Sequence, residues 1–93
     1  MADGNLHLVV KGRVQGVGFR WFIVDAGKRL DLAGWVKNLD DGNVELHAAG
    51  PLEALEELEA LVTKGPPGAR VAQVVRIASS SGAELARPFR VSR

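Results

Sequence analysis

The chain contains no cysteine, which excludes disulfides, thiolate catalysis and sulfur-ligated metals. No apolar run approaches the length of a membrane span. The opening Met1-Ala2-Asp3-Gly4-Asn5 lacks the basic and apolar regions of a signal peptide, so the cytoplasm is the expected compartment. An excess of charge of one sign is nearly missing too. The net charge is +1, which argues against a nucleic-acid binder that works by neutralising many phosphates. What remains is an ordinary globular balance, 46% hydrophobic and 25% charged over 93 residues. Residues 1–93 are expected to form a single domain that buries roughly two-thirds of its chain surface.

Glycine is plentiful, and its placement is the most informative feature. Gly12-Arg13-Val14-Gln15-Gly16-Val17-Gly18-Phe19-Arg20 follows an apolar run, Leu6 to Val10, and precedes a segment of helical periodicity. Glycines between a strand and a helix let successive backbone N–H groups turn toward one point. The helix N-terminus favours an anion there through its free amides and its dipole. Arg20 adds a planar, permanently charged fork. A phosphate or carboxylate would suit such a seat. The loop read by itself is equally compatible with a plain glycine turn carrying a solvated arginine. It is neither a Walker loop, lacking the Lys-Ser/Thr close, nor a dinucleotide fingerprint, because Trp21 stands where the third glycine belongs.

A second run, Gly34-Trp35-Val36-Lys37-Asn38-Leu39-Asp40-Asp41-Gly42-Asn43-Val44-Glu45, reads as a β-hairpin with its turn at Asn38 through Asn43. Asn38 taken alone is a turn former whose side chain bonds its own backbone. The rest of the chain supplies the other elements. The alternation around Leu6, Leu8 and Val10 predicts the first strand. Phe19, Phe22, Ile23, Ala26 and Leu30 predict an amphipathic helix from Arg20 to about Leu30. Val44 to Ala48 is a strand. Pro51 suits the first turn of a helix striped by Leu52, Leu55, Leu58, Leu61 and Val62, which Lys64 and Gly65 close. Val71 to Ala78 is a strand, Ser79 to Gly82 a loop, and Pro88 to Ser92 a short last strand. The order β-α-β-β-α-β plus one short strand predicts an α+β, ferredoxin-like split β-α-β sandwich, with two helices on one face of an antiparallel sheet.

The two runs together, with Asp41-Gly42, Gly50-Pro51, Gly65-Pro66-Pro67-Gly68-Ala69 and Phe89-Arg90-Val91, resemble the acylphosphatases over nearly the whole chain. These are small cofactor-free enzymes that hydrolyse carboxyl–phosphate anhydrides. The resemblance implies that the amides of Gln15, Gly16, Val17, Gly18 and Phe19, with the Arg20 side chain, bind the phosphoryl group. It also implies that Asn38 orients the attacking water. No metal and no cofactor are expected. The implied partner is a small-molecule acyl phosphate, with phosphate or sulfate as a competing anion, and with neither nucleic acid nor membrane involved. A cytoplasmic monomer is expected. Because the chain stops after its last strand, a free-standing enzyme is expected rather than one domain of a larger carbamoyl-transfer protein, such as the hydrogenase-maturation enzymes carry. The alternative is an acylphosphatase-like anion-binding or regulatory module without turnover.

His7 and His47, the only histidines, read as open-face residues of adjacent strands rather than half a metal site. Lys11 and Lys37 flank the proposed site. Trp35 and Phe22 read as core or rim packing. The two central strands then carry His7, Val9, Glu45 and His47 on the open face without an aromatic, which counts against a base-stacking RNA module. Four positions depart from the family pattern: Trp21 for a smaller aromatic, Gly27 for alanine inside the first helix, Asp31 for glycine at its C-terminal end, and Asp40 for proline in the hairpin. Gly27 is expected to cost its helix up to about 1 kcal/mol.

Overall fold

A computed structural model describes residues 3–78 and 85–92. The elements run β1 (Asp3–Arg13), α1 (Phe19–Arg29), β2 (Ala33–Asn38), β3 (Val44–Pro51), α2 (Leu52–Lys64), β4 (Arg70–Arg76) and β5 (Arg90–Val91). They form one five-stranded sheet in the order β4-β1-β3-β2-β5. The expected split sandwich is there. Strand β1 is longer than its apolar run because its two neighbours are staggered: β3 pairs Asp3 to Val10, whereas β4 pairs Leu8 to Arg13. Leu8, Val10, Val36, Val44 and Leu46 point from the sheet into a core closed by Phe19 and Ile23 of α1 and Leu58 and Val62 of α2, all of them buried. The expected loop at Ser79 to Gly82 lies outside the described residues. The last two strands are shorter than expected: β4 ends at Arg76 and β5 keeps only Arg90 and Val91.

The expectation of a wholly antiparallel sheet is corrected. β5 pairs parallel with β2, Trp35 opposite Arg90 and Val36 opposite Val91. The reason is topological. β4 and β3 both run against β1, and β2 runs against β3. β4 therefore finishes at the end of the sheet where a strand parallel to β2 begins. The chain crosses to the opposite edge and starts upward from there.

The two central strands carry no aromatic on the open face, as expected, but the neighbouring β2 adds one there. Gly34 and Val36 face the helices, so pleat alternation turns Trp35 and Lys37 outward. Trp35, His47 and His7 lie in one cross-strand row. The two imidazoles stack with centroids 4.6 Å apart, and the indole meets each edge-on at 6.0 Å. His7 Nε2 lies 2.6 Å from Glu45 Oε2. Lys37 Nζ stands 3.6 Å from Glu45 Oε1 and 5.3 Å from the Trp35 ring centroid. Only 4% of His47 is exposed.

Both departures in and after α1 have structural accounts. The expected penalty at Gly27 mistakes its role, because a Cβ there would fall 2.6 Å from Cγ and Cδ2 of Phe89. Phe89 is itself buried against this helix. Asp31 takes φ 55, the left-handed conformation that a C-terminal cap requires. Its N–H donates to the Lys28 carbonyl at 3.1 Å, and that of Leu32 donates to the Gly27 carbonyl at 2.9 Å. This is the double-bonded helix close that glycine normally serves. Pro51 stands one position earlier than expected, as the extended N-cap of α2 with φ −58 and ψ 141.

Two outcomes follow from this packing. Gly27→Ala is expected to lower the urea midpoint, because overpacking costs about 1–3 kcal/mol and exceeds the helix-propensity gain of about 1 kcal/mol. A higher midpoint would show that the Phe89 ring has room to move. The second outcome concerns His47. Burial pushes its imidazole below the usual 6.5, His7 adds to that, and Glu45 opposes it. Between the lowered value and 6.5 the unfolded chain takes up a proton that the native state resists. Stability is therefore complete above 6.5 and falls as the pH drops toward the lowered value. Denaturation of His47→Phe alongside the parent protein should show a shallower loss of stability over that acidic range. Parallel curves would mean that His47 titrates freely.

Candidate functional site

β1 passes into α1 through Val14 to Gly18. Gly16 and Gly18 take φ 76 and φ 77, and an added Cβ at either would meet nothing within 4 Å. Glycine is there for its backbone freedom and leaves the wall beside it open. Gly18 is also the N-cap of α1. It contributes no capping side chain, the first turn holds no acid, and the earliest helical bond shown is Phe22 N–H to the Gly18 carbonyl at 3.0 Å. The first amides of the helix are thus left facing outward, where the positive end of the dipole lies.

A cavity of about 120 Å³ opens on this corner, lined by Val14, Gln15, Gly16, Gly18, Phe19, Arg20, Trp21 and Asn38. Of the site residues expected from the sequence, all but Val17 border it. The Val17 side chain packs against the hydrophobic core instead. Phe19 is buried, so it reaches the cavity from beneath while its side chain anchors the helix.

Asn38 arrives from a distant part of the chain. It is the last residue of β2, opposite Val44 in the ladder, and therefore lies before the turn rather than within it. The turn proper makes its own bonds: Leu39 N–H to the Asn43 carbonyl at 2.8 Å, and Asn43 N–H to Asp41 Oδ1 at 3.0 Å. Asn38 has no part in them. Its carboxamide oxygen is buried and accepts no hydrogen bond among the described residues. An acceptor left in that state costs about 1–3 kcal/mol, and a donor arriving in the cavity would remove the cost.

One contributor was not legible in the sequence as a side chain. Gln15 Nε2 donates to the Leu39 carbonyl at 2.8 Å and to the Asn43 carbonyl at 2.9 Å. Both carboxamide hydrogens are spent on tying the glycine loop to the hairpin turn that follows Asn38. The signal available in the sequence was weak, a glutamine among glycines, and its partners are far away along the chain.

A family model described as Acylphosphatase matches residues 6–90. An acylphosphatase of Salinibacter ruber is 49% identical over 84 residues, 90% of this chain and 87% of that one. The crystal structure of acylphosphatase from Bacillus subtilis superposes with a TM-score of 0.80 at 40% identity, covering 96% of this chain and 98% of that one. A structure of an acylphosphatase from Coxiella burnetii gives 0.80 at 37% identity, covering 97% and 93%.

Gln15→Leu is expected to detach loop from hairpin by removing two hydrogen bonds, leaving the Leu39 and Asn43 carbonyls only their turn bonds from the Gly42 and Leu39 N–H groups. The anticipated loss is about 1–3 kcal/mol, read by chemical denaturation. An unchanged midpoint would mean that water replaces both bonds without penalty.

Proposed function

The chain belongs to the acylphosphatase family and is an enzyme that hydrolyses acyl phosphates; from that premise we propose how its residues divide the work. The phosphoryl group sits on the amides of Gln15 to Phe19 and on the Arg20 guanidinium. Asn38 holds the water that attacks phosphorus. The observation that carries the assignment is the buried carboxamide oxygen of Asn38, unpartnered at the edge of the cavity whose other wall is the open end of α1. A water molecule donating to that oxygen would point its lone pair into the cavity.

The chemistry asks little more. The water oxygen bonds to phosphorus as the bond from phosphorus to the acyl oxygen breaks, releasing a carboxylate and inorganic phosphate. Carboxylic acids ionise near pKa about 4, so the leaving oxygen needs no proton donor. A loose, metaphosphate-like transition state needs its charge stabilised and its nucleophile aligned. Amides, guanidinium and carboxamide supply both, and none of these roles calls for a metal or cofactor. Phosphate and sulfate compete for the same seat.

No helix among the described residues is long and apolar enough to cross a membrane. We propose a monomer that acts in the cytoplasm.

Two variants separate the roles. Each charge-assisted bond to a phosphate oxygen is worth about 1.5–3 kcal/mol, and a lysine cannot make two in one plane. Arg20→Lys, keeping one such bond, should therefore lose about one to two powers of ten in kcat/KM and weaken inhibition by inorganic phosphate. Asn38→Ala should lose kcat while phosphate inhibition stays within a few-fold of the parent. Near-normal turnover by the lysine variant, or equal loss of phosphate binding in the alanine variant, would overturn the assignment.

A further inference from the structure

Trp21 is the residue the catalytic scheme leaves unused. It lines the cavity beside Arg20, yet 68% of it is exposed. The other exposed large hydrophobics, Leu52 and Ile77, do not border that cavity. We propose that Trp21 is a specificity-determining residue, a flat apolar rim against which the acyl group lies, and that it selects acyl phosphates with an aromatic acyl group. This inference rests on the reading of the loop as the phosphoryl seat.

Position comes first in support. Trp21 borders the cavity and is mostly exposed, so it forms part of the rim where the cavity meets solvent. Direction comes next. In-line attack places the leaving group across phosphorus from the water, hence away from Asn38. The rim itself then narrows the choice. Gly16 and Gly18 are exposed but have no side chain, while Val14 and Phe19 are buried. Gln15 is occupied by the hairpin carbonyls. Trp21 alone among the cavity residues offers a large exposed apolar surface, and one turn of α1 keeps it next to Arg20. An aromatic acyl group stacks on an indole, whereas an acetyl group has almost no surface to offer it.

The test compares kcat/KM for benzoyl phosphate with that for acetyl phosphate. In Trp21→Ala the benzoyl-to-acetyl ratio should fall about tenfold, chiefly through KM for benzoyl phosphate. Trp21→Gln, which keeps a good helix former, should give the same fall. Trp21→Phe should hold the ratio within about threefold of the parent. An unchanged ratio in the alanine and glutamine variants, or an equal loss on both substrates, would overturn the role of Trp21 while leaving the phosphoryl seat intact. A parent protein that turns over neither substrate would overturn the seat and, with it, this inference.

Discussion

The site depends on one unmet requirement, the open N-terminus of α1. A helix start normally satisfies its first amides with a serine, threonine or aspartate side chain. Here a left-handed glycine occupies the cap and offers them no side-chain acceptor. The hydrogen-bonding capacity withheld from the helix becomes capacity for an anion. The fold then has to hold that corner in place without filling it. Phe19 does so from below by burying its ring in the core, and Gln15 does so from the side through two carbonyls of the hairpin turn.

The proposed holder of the nucleophile sits on a different element. The β2–β3 ladder carries Asn38 to its last rung, and the Gln15 clamp ties the following turn to the glycine loop. The proposed seat and water holder are thus connected by bonds as well as by neighbourhood. The buried oxygen of Asn38 is a second group left unpaired among the described residues. Asn38 and the open helix end border the same small cavity.

The opposite end of α1 shows the cost of fitting the helix to its neighbours. Gly27 gives up helix propensity so that Phe89 can lie against the backbone, and Asp31 accepts a left-handed conformation to close the last turn. The open face of the sheet is settled in a different way. The stacked histidines, Glu45, Lys37 and Trp35 form one connected cluster there, in which His7 and Lys37 meet Glu45 while His47 Nε2 stays buried without a hydrogen-bond partner among the described residues. None of this touches the cavity, so the helix packing and the open face are free to differ without altering the chemistry.

Local patterns determined a good deal by themselves. The glycine spacing before Arg20 is a statement about a few adjacent backbone dihedrals, and apolar periodicity reports which side of each helix or strand avoids water. Both are short-range, so the corner, the two helices and the core strands could be read from the chain. Tertiary structure alone decided what depends on pairing between distant segments. The parallel direction of β5 follows from where β4 ends, and the outward turn of Trp35 from the phase of β2 in the sheet. The partners of the Gln15 carboxamide and the small-residue requirement at Gly27 depend on segments brought together from far along the chain. A side chain's type states what it can bond, but its neighbours are set by the register of the sheet, which no single stretch of residues encodes.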